Sequence, residues 1–406
     1  MSALEGVTVV DVSRFVSGPL CTFYLASLGA EVLAIESPVP TASRRLPPLA
    51  DPAGGATTDA VDGAIAMPFL KRARGKRSLG IDITHSDGRR LIAALAEGAD
   101  VFVENSRPGA MDGFGLGYGD LSSANRRLVY ASISGYGQGG PDPDRPAMDN
   151  IVQAASGFMA RTGFADGPPL RAGTTIADHS TATFAALGIV AALQERERTG
   201  RGQLVDVAML DVLTSFVWDE AVDHYADRGL PVRSGNADAR GAPINTYRCA
   251  DGWVSATGTS DAQWRALCEG MGRPELADEY PDQRSRAAAA RAVDAAIEAW
   301  SGTRRAADVE ATMLAARMPA GRVRTPLEAA ADPQVEARGL LEPLRHPDAA
   351  EPSGFLGPRL PISFAGRADD LAPAEVLGTS TRAILRERVG CDDDELARLH
   401  EAGAIT

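Results

Sequence analysis

Cysteine is scarce and scattered. Its four copies, Cys21, Cys249, Cys268 and Cys391, form no CxxC pair, which argues against a structural zinc site or a disulfide framework and leaves buried thiols. The five histidines show no HxxxH spacing, so no metal site is expected. Positive charge is in deficit, with 41 Lys and Arg against 54 Asp and Glu and a net charge of -13. That balance excludes a general nucleic-acid binder, which needs a broad basic surface for phosphates. No uninterrupted apolar run approaches the ~18 residues of a membrane span, and no basic, apolar leader follows Met1, so the expectation is a cytoplasmic protein with no membrane partner. No internal repeat of fixed period is visible.

What is present is length and alternation. With 406 residues and 44% hydrophobic content, the chain is long enough for a large core and is expected to fold as two lobes. It opens with the apolar run VTVVDV, the turn SRFVSGP, a helix in LCTFYLASLGA ending near Gly29, and the run EVLAIE. This is a βαβ unit. SLGIDI, the helix DGRRLIAALAEGA, DVFVEN and RLVYASIS continue the alternation, which predicts an α/β fold with a doubly wound parallel sheet, whose ligands lie beyond the carboxyl ends of the strands. The first turn lacks GxGxxG, so an NAD-dependent dehydrogenase is a weak alternative. Residues 38–63 are rich in Pro, Gly, Ala and Thr and read as a long surface loop. From about residue 230 the pattern changes, and a second, smaller α+β lobe is expected.

Two features could carry chemistry. KRARGKR, residues 71–77, places five basic residues in seven on an acidic chain. Such a run is a solvated loop or a patch for a phosphorylated ligand. Asp178 precedes a helix read from Thr181 to about Arg198, apolar almost all round and hence expected to be buried. An aspartate there serves as an N-cap. A helix N-terminus also stabilises a carboxylate by ~0.3–1 kcal/mol, which would keep Asp178 ionised, as a carboxylate nucleophile requires.

Taken in order, LEGVTVVDVSRFVSGP, LGAEVLAIE, GKRSLGIDI, ADVFVENSRPGAMDGFGLGY, ASISGYGQGGP, GFADGPP, IAD, ERTGRGQLVDVAMLD and PAGRVRTPLEAAADPQ resemble the class III CoA-transferases, the family of the formyl-CoA and carnitine CoA-transferases. The resemblance covers nearly the whole chain. It implies a Rossmann-like large lobe over 1–228, a small lobe over 229–325, a segment 326–406 returning to the large lobe, and an interlocked homodimer. It also implies an acyl-CoA donor and a small carboxylate acceptor, with CoA thioester as substrate and no permanently bound cofactor.

Position by position, Asp178 matches the family's catalytic aspartate, and Asp149 falls where formyl-CoA transferases carry a second acid. A cap or turn role is the alternative for Asp149. CoA contacts match Val16 and Ser17, Ile81, Asp82, Ile83 and Thr84, Asn105, Ser106 and Arg107, Arg145 to Met148, and Met209. Core packing is the alternative for Ile81, Ile83 and Met209. The chain departs from the pattern at Ser37 and Gly113, where members often carry arginine for CoA, and at Ala73, a common asparagine. Phosphate anchoring is therefore expected from Lys76 and Arg77, with Arg44, Arg45 and Arg74 as further candidates. Related 2-methylacyl-CoA racemases place a histidine where this chain has Met148. An acyl-CoA racemase and a noncatalytic CoA-binding paralogue are the remaining alternatives.

Overall fold

The computed structural model describes residues 2–59, 61–238, 241–349, 352–365 and 371–406. The chain divides into two compact units, one formed by Met1–Ser156, Gly173–Phe216 and Gln334–Thr406, the other by Gly157–Ala172 and Val217–Pro333.

The first unit is built on six parallel strands. β1 (Thr8–Asp11), α1 (Ser17–Ser27), β2 (Glu31–Glu36), α2 (Met67–Ala73), β3 (Lys76–Gly80), α3 (Ser86–Glu97), β4 (Val101–Glu104), β5 (Val129–Ser134), α4 (Asp149–Ala155), α5 (Ile176–Thr199) and β6 (Leu204–Ala208) follow along the chain. In space the sheet runs β3-β2-β1-β4-β5-β6, with every pairing parallel. This is the doubly wound order, in which the direction of winding reverses between β1 and β4.

Neighbouring residues of each strand feed opposite cores, because side chains alternate across a sheet. Val9, Val32, Val101 and Val103 pack with Leu20, Phe23 and Leu25 of α1 and with Ala182, Ala185 and Ile189 of α5. Val10, Leu33, Leu79 and Phe102 pack with Leu91, Ile92 and Leu95 of α3 and with Leu396, Leu399 and Ile405 from the end of the chain. Burial on both faces explains why these strands read as continuous apolar runs.

α5 departs from its reading twice. It begins at Ile176, ahead of the expected Thr181, and Thr175 occupies the N-cap without a side-chain capping bond to the helix backbone. It is also not buried all round. By length and composition it is the one helix among the described residues that could cross a membrane, and its small alanines fill the core beside α1 while Phe184 and Leu187 are exposed, the latter at 63%. Residues 38–63 differ as well. They carry a helical turn at Ala42–Arg45 and, with Ile65–Ala66, a small antiparallel sheet. Arg44 ties this segment down with two hydrogen bonds to Glu36, 2.6 and 2.8 Å, and stacks on Phe69.

The second unit holds the antiparallel strands Ile244–Arg248, Trp253–Thr257 and Ala320–Arg322. Helices Asp261–Met271, Ala290–Ser301 and Ala306–Ala315 contribute Trp264, Leu267, Val293, Ile297 and Val309 to its core, alongside Tyr247 and Val254 from the strands.

Candidate active site

The winding reversal leaves β1 and β4 side by side with their following loops adjacent. Val16 is the N-cap of α1 and Ser17 its first residue. Asn105, directly after β4, grips the other loop by its backbone. Its amide oxygen accepts the Arg14 N–H at 2.8 Å, and its amide nitrogen donates to the Arg14 carbonyl at 2.7 Å. Gly18 makes the tight turn possible, since a Cβ there would lie 2.2 Å from that of Ser13. Phe15 between them holds φ at 65°, a strained conformation for a non-glycine residue of the kind found where function fixes the backbone. Glu104 is buried under this junction. It accepts the Ser132 hydroxyl and, at 2.6 Å, the Ser106 N–H, while burial pushes its carboxyl up to about 7.

Asp178 lies in the first turn of α5, and Asp149 is the first residue of α4. The two act together in an order the sequence did not reveal. Asp149 Oδ1 accepts the N–H groups of Ala177 at 2.7 Å and Asp178 at 3.2 Å, and its Oδ2 accepts Gln153 Nε2 at 2.6 Å. Asp149 therefore caps α5 from another helix and satisfies two otherwise unpaired donors. Asp178 is released from capping. Its carboxyl is raised to about 6, first by burial and then by the charge of Asp149, with Arg72 pulling the other way. Burial and a like charge outweigh the helix terminus that was expected to hold it low.

The other site positions also follow strand ends, though with different exposure. Ile81 and Ile83, beyond β3, are buried in the core, while Asp82 Oδ1 accepts both the N–H (2.8 Å) and the hydroxyl (2.7 Å) of Thr84. Met209, directly after β6, is buried, and Met148, at the N-cap of α4, is 63% exposed. Arg145 is exposed and lies over the Tyr136 ring. Arg107 is exposed beyond β4, next to the half-buried Ser106.

The basic cluster does not form a single surface patch. Lys76 is buried, its three donors directed to Asp11 (3.2 Å), the Pro19 carbonyl (2.8 Å) and Thr22 Oγ1 (2.6 Å). Arg77 donates to Ser380 Oγ and faces Glu31 and Glu375; Arg74 pairs with Glu342 and stacks on Phe23. These cations neutralise acids of the fold. A run of basic letters carries no information about which way each side chain points, which is why Lys76 and Arg77 read as phosphate ligands. The residue that reading passed over is Arg72. It lines an open cavity with Ser13, Phe15, Ser37 and Thr41.

Residues 4–381 match the family model described as CoA-transferase family III. The chain is 35% identical to the succinyl-CoA:mesaconate CoA-transferase of Haloarcula hispanica over 97% of its length and 100% of the relative's. It is 33% identical to the formyl-CoA:oxalate CoA-transferase of Streptomyces avermitilis, with 99% of each chain covered. A solved CAIB/BAIF family protein from Brucella suis superimposes with a TM-score of 0.83 at 32% identity, over 95% of this chain and 99% of that one. The chain belongs to CoA-transferase family III, and it is an enzyme of that class.

Proposed function

We propose that this enzyme moves CoA from an acyl-CoA donor to a small carboxylate acceptor by covalent catalysis at Asp178. An Oδ of Asp178 attacks the thioester carbonyl and expels CoA thiolate, leaving a mixed anhydride. The thiolate attacks the aspartyl carbonyl, which releases the donor carboxylate and leaves an aspartyl-CoA thioester. The acceptor carboxylate displaces thiolate to form a second anhydride, and thiolate attack on the acceptor's acyl carbon restores Asp178. Each tetrahedral stage needs N–H donors at its oxyanion. The observation that carries the reading is the placement of Asp178 in the first turn of α5 with its carboxyl freed from capping, because Asp149 takes the N–H groups there; burial and that neighbouring acid raise the carboxyl to about 6. It is basic enough to be a better nucleophile than an ordinary carboxylate, yet it is ionised at neutral pH.

Succinate, mesaconate and oxalate, in the names of the relatives, each carry two carboxyl groups. Small dicarboxylic acids are accordingly the proposed substrate class, and transfer between two carboxylates of one molecule is a special case of the same chemistry. Racemisation is disfavoured. It requires an acid and a base on opposite faces of an α-carbon, whereas Met148 has no transferable proton and both Asp149 oxygens hold other donors. CoA binds across the reversal between β1 and β4, with Val16, Ser17 and Asn105 to Arg107 at its edges. The exposed Phe184 and Leu187 of α5 support a homodimer.

The test is a matrix of CoA esters against carboxylic acids, read by mass spectrometry, with Asp178→Asn as control. New thioesters that depend on acceptor and on Asp178 are expected. Solvent deuterium entering a 2-methylacyl-CoA ester without an acceptor would overturn the reading.

A further inference from the structure

The charges around the open cavity lined by Arg72 do not cancel. Three acids stand on its wall, and each already has a cation: Asp11 has Lys76, Glu36 has Arg44, and Glu375 has Arg77. Two arginines on the same wall, Arg14 and Arg72, form no side-chain hydrogen bond or ion pair among the described residues. The wall is thus left with positive charge. A guanidinium that is half-buried and unpaired is costly, because its donors lose water without gaining an acceptor. The cost falls on Arg72: burial lowers its proton affinity, and the charge of Asp178 partly offsets the loss. Arg72 therefore lies within electrostatic reach of the nucleophile, although Asp178 does not line the cavity.

We infer that Arg72 is a specificity residue that takes the second carboxylate of a dicarboxylic substrate while the first reacts at Asp178. This inference rests on the proposed transfer reaction. The planar fork of arginine matches a carboxylate through two parallel N–H bonds. A phosphate of CoA is the competing ligand, since Ser37, where family members often carry an arginine for CoA, lines the same wall; the exchange experiment separates the two. Arg72 sits in the last turn of helix α2, three residues after Phe69, over which Arg44 stacks, and two before Arg74, which is paired with Glu342.

The experiment compares two exchange reactions that need no knowledge of the natural pair, labelled succinate with succinyl-CoA and labelled butyrate with butyryl-CoA. The readout is the ratio of their kcat/KM values. In Arg72→Gln the succinate-to-butyrate ratio is expected to fall by about 10- to 100-fold, the size of a lost hydrogen-bonded charge contact. Arg72→Lys keeps the charge and loses the fork, so its ratio falls less; it serves as the test should Arg72→Gln not fold. An equal fall for both acids, with the acid limb of the pH profile displaced upward, would show that Arg72 only tunes Asp178. A rise confined to the KM of both CoA esters would reassign it to phosphate. Either result overturns the inference, as does an unchanged ratio. Should the wild-type enzyme run neither exchange, the transfer reading fails by itself. Equilibrium dialysis of labelled succinate and butyrate, with CoA present, then decides Arg72 separately: binding of succinate that Arg72→Gln abolishes upholds the carboxylate site, and no discrimination sinks it.

Discussion

Asp178, the proposed nucleophile, combines two requirements that pull against each other, since a nucleophile must be charged and burial disfavours charge. With its carboxyl moved from 3.8 to about 6, kcat/KM is expected to rise with pH as a single ionisation near 6 and to level off above it. A pH-rate profile tests this, and a limb near 4 would mean that Asp178 is solvated in the working enzyme. The same shift has a cost for folding. Between 3.8 and about 6 the folded chain holds a proton that the unfolded chain has lost, so this group's stabilisation is complete at low pH and disappears as pH rises through 6. The ceiling on that loss is about 3 kcal/mol, and solvent reaching the carboxylate reduces it to about 1–2. Asp178→Asn should therefore lose more than about 10³-fold in turnover while unfolding at higher denaturant concentration than wild type at pH 7.5. The gain should shrink to about a third at pH 4.5, where the folded carboxyl is neutral but most unfolded wild-type chains have lost the proton, and vanish only below 3.8. The position of Asp178 was legible in the sequence. Its electrostatics were not, because they depend on Asp149, 29 residues away, and on a helix that starts earlier than its apolar run.

At the scale of elements, the parallel strands were the easiest to read, since burial on both faces writes them as runs such as VTVV and VFVE. Harder to read was the support beneath the β1 turn. No glycine fingerprint shapes it. Instead Lys76 reaches from β3 to Asp11 and Thr22, which holds the end of β1 against α1. Lys76→Met leaves the buried Asp11 without its cation and is expected to cost about 3–5 kcal/mol of stability. Adding Asp11→Asn should recover part of it, as seen by denaturant midpoints of the single and double variants. Had Lys76 been a phosphate ligand, the main loss would instead be in the KM for the CoA ester, with a changed salt dependence and little change in stability. Glu104 supports the neighbouring loop in the same manner. Glu104→Gln keeps the Ser106 N–H acceptor and should preserve the apparent KM, whereas Glu104→Ala frees the Asn105–Arg107 loop and should raise it by about 3- to 10-fold, the loss of one hydrogen bond.

The whole molecule carries an unresolved tension between its charge and its surface. A chain of net charge -13 repels its own copies. Yet α5 presents Phe184 and Leu187 to solvent, and the Phe184 ring lies 6.0 Å from that of Phe216, itself 39% exposed. Met148 and Ile151 at the start of α4 add exposed apolar area in the same unit. The sequence suggested that α5 would be buried, and half of that burial is missing from a single chain. A second copy seated on this face would complete it, and the resemblance noted from the sequence implies such a dimer. Sedimentation equilibrium is accordingly expected to return about twice the chain mass of 42.5 kDa. Because the attraction is apolar and the repulsion is between like charges, the dimer should dissociate more readily at 10 mM salt than at 300 mM, a direction opposite to that of an interface held by ion pairs. Leu187→Glu adds charge where a partner's apolar surface would lie, and it should shift the population toward monomer without unfolding the core beneath, whose alanines face the other way. A monomeric wild type at high salt, or a Leu187→Glu chain that sediments as wild type does, would remove α5 from the interface.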